Sequence, residues 1–318
     1  MAEYLANYTI LDTVTVQPGY MRNAIIVLCS TIPSFIPNSF ILYVCFKKGM
    51  ITGQFKASIA IMTICNLYSA LYAVLFHLFY IFVNFTNTPV DFYLCSFLRR
   101  FAITSNCPSI YGCLIVAIDR FFVVCLNRPF PLMYHLILQI PLLTMPVWIL
   151  ITHMTSTKIT MEDICGPTLK TELKDIPTWF LFKYPLIALL LNFYILFFIY
   201  RHARKMTAMG IRNDENEVSS KKKMTVGMIF QCLLPICTQL PMAGTALFYW
   251  RGVFVPQLVW DCNNVVFYIG LTLNPVITVI FVRQFRQAAL KILTMSYLKT
   301  KVTTIQPSQL STQRLQLQ

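Results

Sequence analysis

Residues 95–120 read CSFLRRFAITSNCPSIYGCLIVAIDR. After Arg99 and Arg100, the 18 residues from Phe101 to Ile118 carry no charge, and the run stops on the adjacent pair Asp119-Arg120. At 1.5 Å rise per residue, a helix from Cys95 to Arg120 is about 37 Å long, a little more than the roughly 30 Å hydrocarbon thickness of a bilayer. The segment reads as one membrane-crossing helix with a cysteine at one tip and a charge pair at the other. The pair has a plain reading, a stop signal with a snorkelling arginine. It also has a functional one, a switch in which Asp119 holds Arg120 and then releases it toward a partner.

Working outward, six more apolar runs meet or approach the same requirement: 24–46, 57–83, 136–152, 179–200, 224–250 and 256–282, with 95–118 third in order. The fourth is the weakest, 17 residues between His135 and His153, with Pro141 and Pro146 making it irregular. The whole chain of 318 residues is 57% hydrophobic and 12% charged, where a soluble domain runs near 25% charged. It has too little polar surface to cover itself in water. The expected fold is all-α, a seven-helix transmembrane bundle over 24–282 after an extracellular N-terminus, 1–23. A cytoplasmic part, 283–318, follows. There Phe285, Ala288, Ala289, Ile292 and Leu293 recur at helical spacing among Arg286 and Lys291, which suggests a short amphipathic helix on the inner leaflet. The polar residues 298–318 are expected to be a disordered tail.

Charge orients the bundle. The loops on one side, with the tail, hold 18 of the 26 Lys and Arg residues and 4 of the 12 acids, so the formal charge of +14 lies entirely on that face. Positive-inside bias makes it cytoplasmic and puts the N-terminus outside the plasma membrane. Anionic inner-leaflet lipid is a sufficient partner for this basicity, and nucleic acid is not needed. Loop 201–223 carries much of it, either as a solvated topology signal or as a docking surface. Two sequons, at Asn7 and Asn84, fall on the external side and are candidate N-glycosylation sites. No cleavable signal peptide is expected in residues 1–22. Most of the 11 cysteines sit inside apolar spans, where a free thiol acts as a small hydrophobe. Cys95 and Cys165 instead meet an oxidising compartment, where a bridge is allowed. No cysteine follows Cys262, so a palmitoyl anchor on the last helix is excluded.

Prolines mark the later spans. Pro185, Pro235 and Pro275 each free a carbonyl and kink a helix, and in lipid a neighbour must satisfy that group. Asn274 beside Pro275 suggests an amide meeting the broken backbone.

Over residues 22–297 the chain resembles the rhodopsin-like G-protein-coupled receptors. Asn38 and Asn66 lie at that family's spacing for its polar core pair, and Asp119-Arg120-Phe121 is similar to its Asp-Arg-Tyr triplet. Trp148, Pro185, Cys232 to Pro235, and Asn274 to Thr278 with Phe285 fit its later motifs. The resemblance pairs Cys95 with Cys165 in the external disulfide. It assigns switch and coupling roles to Asp119, Arg120, Asn274 and Pro275, helix kinks to Pro185 and Pro235, and a heterotrimeric G protein as partner. Leu233, Thr278, Phe121 and Asn66 depart from the family pattern, in a manner similar to the divergent nematode-type chemoreceptors. Asn66 stands where a carboxylate is usual, so a hard cation loses a ligand there. Sodium modulation should be weak or absent, and a clear sodium effect on agonist affinity would count against this.

For an extracellular small-molecule or peptide ligand, helix projection offers Ala102, Asn106, Cys237, Asn264 and Tyr268, each open to a simpler role in interhelical hydrogen bonding. Ala102 occupies the aspartate position of the family's amine receptors, which argues against a biogenic amine. Arg99, Arg100 and Lys183 would favour an anionic or polar ligand, against a reading as snorkelling side chains. His77 reads as a helix-packing donor. The absence of lysine in the last span rules out a retinal Schiff base there. Scattered histidines give no metal or enzyme site, and no cofactor is expected. A seven-helix ligand-gated channel or a transporter is the alternative. A channel resembling insect odorant receptors would have its N-terminus on the opposite side.

Overall fold

The computed structural model describes residues 13–51, 56–128, 130–162, 164–169, 176–208 and 253–292, residue 294, and scattered positions within 226–248. Asn7, Cys232, Pro235, Leu293, residues 209–223 of the basic loop and the tail 298–318 lie outside the described residues. Among the described residues, six helices are long and apolar enough to cross a membrane. They are α1 (Pro18–Phe46), α2 (Lys56–Thr86), α3 (Phe92–Cys125), α4 (Leu132–Met154), α5 (Ile176–Ala208) and α7 (Gln257–Phe281). Between α5 and α7, residues 226–227, 229–230, 233–234, 236–238, 241, 244–245 and 248 are all helical and form what is described of the sixth span, α6. After one extended residue, Val282, residues 283–292 form α8. The chain is an all-α, multi-pass membrane protein built as a seven-helix bundle with a short helix after the last span.

Helices α1 to α5 overrun the limits read from apolarity, for physical reasons, while α7 stays within its own. α1 starts at Pro18 because Arg22 and Asn23 find partners on α7 instead of needing water: Arg22 Nε lies 3.3 Å from Asp261 and Asn23 donates to it at 3.0 Å. A 3-10 turn at Ile32–Ser34, containing Pro33, separates the regular stretches Met21–Thr31 and Phe35–Phe46, as expected where proline interrupts the ladder. α3 runs past the charge pair to Cys125 because Asp119 and Arg120 do not mark a water boundary; both are buried. That overturns the stop-signal reading with a snorkelling arginine. α4 is continuous through Pro141 and Pro146, so the fourth span is less irregular than its prolines suggest.

α3 is the axis. Of its most apolar window 67% is buried, against 17% for α4, which leaves most of its surface to lipid. Ile110, Tyr111, Leu114 and Ile115 of α3 pack with Leu142 of α4 and Ala188 of α5. At one end, α8 drives Phe285 and Ala288 into a cluster with Ile41, Val44 and Cys45 of α1, and Arg286 donates to the Ile280 carbonyl at 3.1 Å. The apolar face of α8 thus meets the bundle directly, and a leaflet is not its only contact.

The opposite end carries the only strands among the described residues. β1 (Thr13–Val14) pairs antiparallel with β2 (Val90–Asp91). β3 (Ile159–Glu162) and β4 (Gly166–Leu169) form a hairpin with Ile159 opposite Leu169. Gly166 adopts φ +68°, a conformation that glycine takes up at no steric cost.

Candidate functional site

At the hairpin end, Cys165 is bonded to Cys95 near the start of α3, with Cα atoms 5.9 Å apart. Asp91 caps α3 by accepting from Leu94 N at 2.7 Å, as acidic N-cap residues do. Arg100 lies beneath the hairpin, not at a headgroup interface. It is 2% exposed, and it donates from Nε to the Leu169 carbonyl at 2.8 Å and from Nη2 to Thr168 Oγ1 at 2.9 Å. Ser96 Oγ accepts from Leu169 N at 3.2 Å. One covalent bond and three hydrogen bonds therefore clamp β4 to α3. The N-terminal strand joins this cap: Gln17 N donates to the Ile164 carbonyl at 3.1 Å, and the Tyr80 hydroxyl donates to the Gln17 carbonyl. The Asn84 sequon sits in the last turn of α2 at this end, half-buried.

Mid-bundle, the polar groups answer proline. Pro275 leaves the Leu271 carbonyl without its helical donor, and Asn38 of α1 supplies one, its Nδ2 3.0 Å from Leu271 O and 2.8 Å from Ser34 O. Asn66 donates to Asn38 Oδ1 at 3.5 Å. The amide expected from Asn274 thus comes from the first helix; Asn274 is buried and lines a cavity instead. That cavity, about 20 Å³, lies between Ser109 and Ile110 of α3, Leu234 and Thr238 of α6, and Phe267, Gly270, Leu271 and Asn274 of α7. It has room for a water, not for a ligand needing some 300 Å³ or more. A Cβ on Gly270 would stand 3.2 Å from Thr238 Cγ2, so glycine sets how close α7 and α6 approach. α3 also runs continuously through an internal proline, Pro108. Ser69 of α2 donates to the Ser105 carbonyl in the turn before it at 2.8 Å.

At the far end of α3, Asp119 is fully buried and reaches sideways to two other elements. It accepts a hydrogen bond from Ser58 of α2 and faces His135 Nε2 of α4 at 3.9 Å. Arg120 beside it is 3% exposed. Ionisable groups inside a membrane protein are expensive and cluster where something happens.

No protein-family model matches the chain, and no curated protein matches it in sequence. In three dimensions it is similar to squid rhodopsin, whose crystal structure superposes with a TM-score of 0.62 at 15% identity, over 89% of this chain and 87% of that one. The chain has a rhodopsin-like fold.

Within the rhodopsin-like fold, the projected pocket residues separate. Asn264 donates to Asn23 Oδ1 at 3.1 Å and belongs to a lattice with Asp261 that ties α7 to α1. Gln257 also donates to Asp261, at 3.2 Å. Interhelical bonding, the simpler alternative, describes Asn264. Cys237 is exposed, and its neighbour Thr238 takes the inward position. Tyr268 stays inside, edge-on to His77 with ring centroids 6.5 Å apart. Asn106 donates to the Ala102 carbonyl at 3.1 Å on the same face of α3. His77 Nδ1 donates to Ala73 O at 2.7 Å within its own helix, so its bond is local and not interhelical. Pro185 is buried inside an unbroken α5. Sequence reasoning missed Asp261, Ser58 and His135. Asp261 had a signal, since it is the one acid in the run 256–282; Ser58 and His135 had none, because their meeting with Asp119 exists only once three helices pack.

Proposed function

We propose that the chain is a G-protein-coupled receptor of the plasma membrane, a chemoreceptor that binds an extracellular small-molecule or peptide ligand and activates a heterotrimeric G protein. Ligand binding favours outward movement of the inner part of α6 about Pro235, which opens the bundle end bearing Asp119 and Arg120. The basic face is cytoplasmic in this reading, the cap of strands is extracellular, and Asn7 and Asn84 are its glycan sites. The observation that carries it is the buried Asp119-Arg120 pair with Ser58 and His135 gathered around the carboxylate. Burying such charges costs several kcal/mol, which a mere stop signal avoids by leaving its arginine among headgroups. Asp119, Arg120, Asn274 and Pro275 are the proposed switch, with Asn38 and Asn66 as its polar core. The narrower, nematode-type chemoreceptor reading rests on a likeness of sequence alone, the departures at Leu233, Thr278, Phe121 and Asn66.

A ligand can shift such an equilibrium only by binding the open state better. The test is nucleotide exchange on purified heterotrimeric G proteins of several classes, with the full chain in lipid nanodiscs and a chemically diverse ligand library. Accelerated GDP release from at least one class is the expected result. Ion currents in planar bilayers, with no exchange on any G protein, would transfer the assignment to the channel alternative.

A further inference from the structure

α6 meets α7 at two close approaches, one on each side of Pro235 in the sequence. Toward the hairpin end, the contact is the one between Gly270 and Thr238, where an added Cβ would stand 3.2 Å from Thr238 Cγ2. Toward the α8 end, a Cβ on Gly227 would run into Phe281 Cβ and stand 2.7 Å from its Cγ. Thr238 and Gly227 are eleven residues apart, and so are Gly270 and Phe281. The contacts are therefore a matched pair, about 16 Å from one another along the helices. Thr238 lies three residues after Pro235 and Gly227 eight before it, so a swing about the proline carries Gly227 much farther than Thr238.

The contact at Gly227 has a second part. Phe230, one turn further along α6, stacks on the Phe281 ring with centroids 5.5 Å apart and an interplanar angle of 26°. The α7 side of the contact is held in place. Val282 and Phe285, which follow Phe281, are buried in one cluster with Ile41, Val44 and Cys45 of α1. Glycine is a poor helix former; what it provides at 227 is the room in which Phe281 sits.

We propose that Phe281 is a latch for α6: with no ligand bound, its ring lies over Gly227 and against Phe230 and holds the inner part of α6 in the closed bundle. Gly227 is the positioning residue, because any side chain there pushes α6 off the ring. Opening about Pro235 breaks this contact, while Thr238 and Gly270, nearer the pivot, stay together. The inference deepens the receptor reading, and only its exchange measurement rests on that reading.

The experiment uses the full-length chain in phosphatidylcholine nanodiscs, with no ligand. Spin labels on encoded azido residues in place of Lys223, ahead of α6 in the sequence, and Leu126, at the end of α3, report how far apart these ends lie; encoded residues are needed because Cys29, Cys237 and Cys262 are exposed. The parent should give mainly one short distance. Gly227→Ala should raise the population at a longer distance about 5- to 100-fold, the effect of overpacking a tight contact. Phe281→Leu and Phe230→Leu remove the ring stack without adding bulk, and each should raise it about 2- to 10-fold. Phe281→Gly removes the atom that an alanine at 227 would strike, so adding it to Gly227→Ala should bring the distances back toward the parent; two independent lesions would instead add. Gly244→Ala, whose Cβ would meet nothing within 4 Å, should match the parent. Distances unchanged in Gly227→Ala and both leucine variants, or an additive double variant, overturn the latch. Nucleotide exchange without ligand should rise in the same order. No G protein is present in the distance measurement, so shifted distances with no exchange on any G protein leave the latch standing and remove the receptor reading, while exchange with unshifted distances does the reverse.

Discussion

Arg120→Ala is expected to abolish nucleotide exchange on the G protein while surface expression stays within about twofold of the parent. Arg120 is 3% exposed at the end of the central helix, so its guanidinium meets a partner only when that end opens. Losing one member of a desolvated charge contact with a partner typically costs about 2–5 kcal/mol, or roughly 30- to several-thousand-fold in coupling. The fold should tolerate the change because Asp119 retains the Ser58 hydrogen bond and the His135 ring beside it. Arg120→Lys separates charge from shape: a single ammonium replaces a planar fork and should restore coupling only in part. Unchanged exchange in Arg120→Ala would remove the switch role from this position.

The second large effect belongs to Arg100. Arg100→Ala withdraws two donors at once, from the Leu169 carbonyl and the Thr168 hydroxyl, both in a buried strand. Hydrogen bonds from a charged donor contribute about 1.5–3 kcal/mol each, so a loss of about 3–6 kcal/mol is expected, seen as a lower melting midpoint and reduced surface delivery. Cys165→Ser opens a loop spanning 70 residues and should cost a similar amount, about 2–5 kcal/mol. The two changes act on one strand, so the double variant should fall well short of the sum. Lysine cannot span two acceptors and should rescue little. An Arg100→Ala protein that melts with the parent would show that the disulfide alone seats the hairpin.

Much of the architecture was legible from apolar run length, because in lipid every backbone group must be satisfied within a helix and length decides what can cross. Cys95 and Cys165 were legible too, from their exceptional place among the cysteines together with the family likeness. What escaped was pairwise. Asn38 donating to Leu271 could be anticipated only as some amide answering Pro275, and the sequence offered Asn274 as the nearer candidate. Arg99 and Arg100 are adjacent and look alike on paper, yet a 100° turn between them sends Arg100 under the hairpin, 2% exposed, and leaves Arg99 only half-buried. The difference resides in the partner surfaces, which no single helix contains.

Pro108 has one more implication. In the turn before it, the hydroxyl of Ser69 crosses from α2 to bond the Ser105 carbonyl. Twisting α3 by itself would break that interhelical bond in a medium with no water to replace it. The second and third rods are therefore geared together at mid-depth and must rotate as a pair, leaving independent travel to the helices on the other side of the axis.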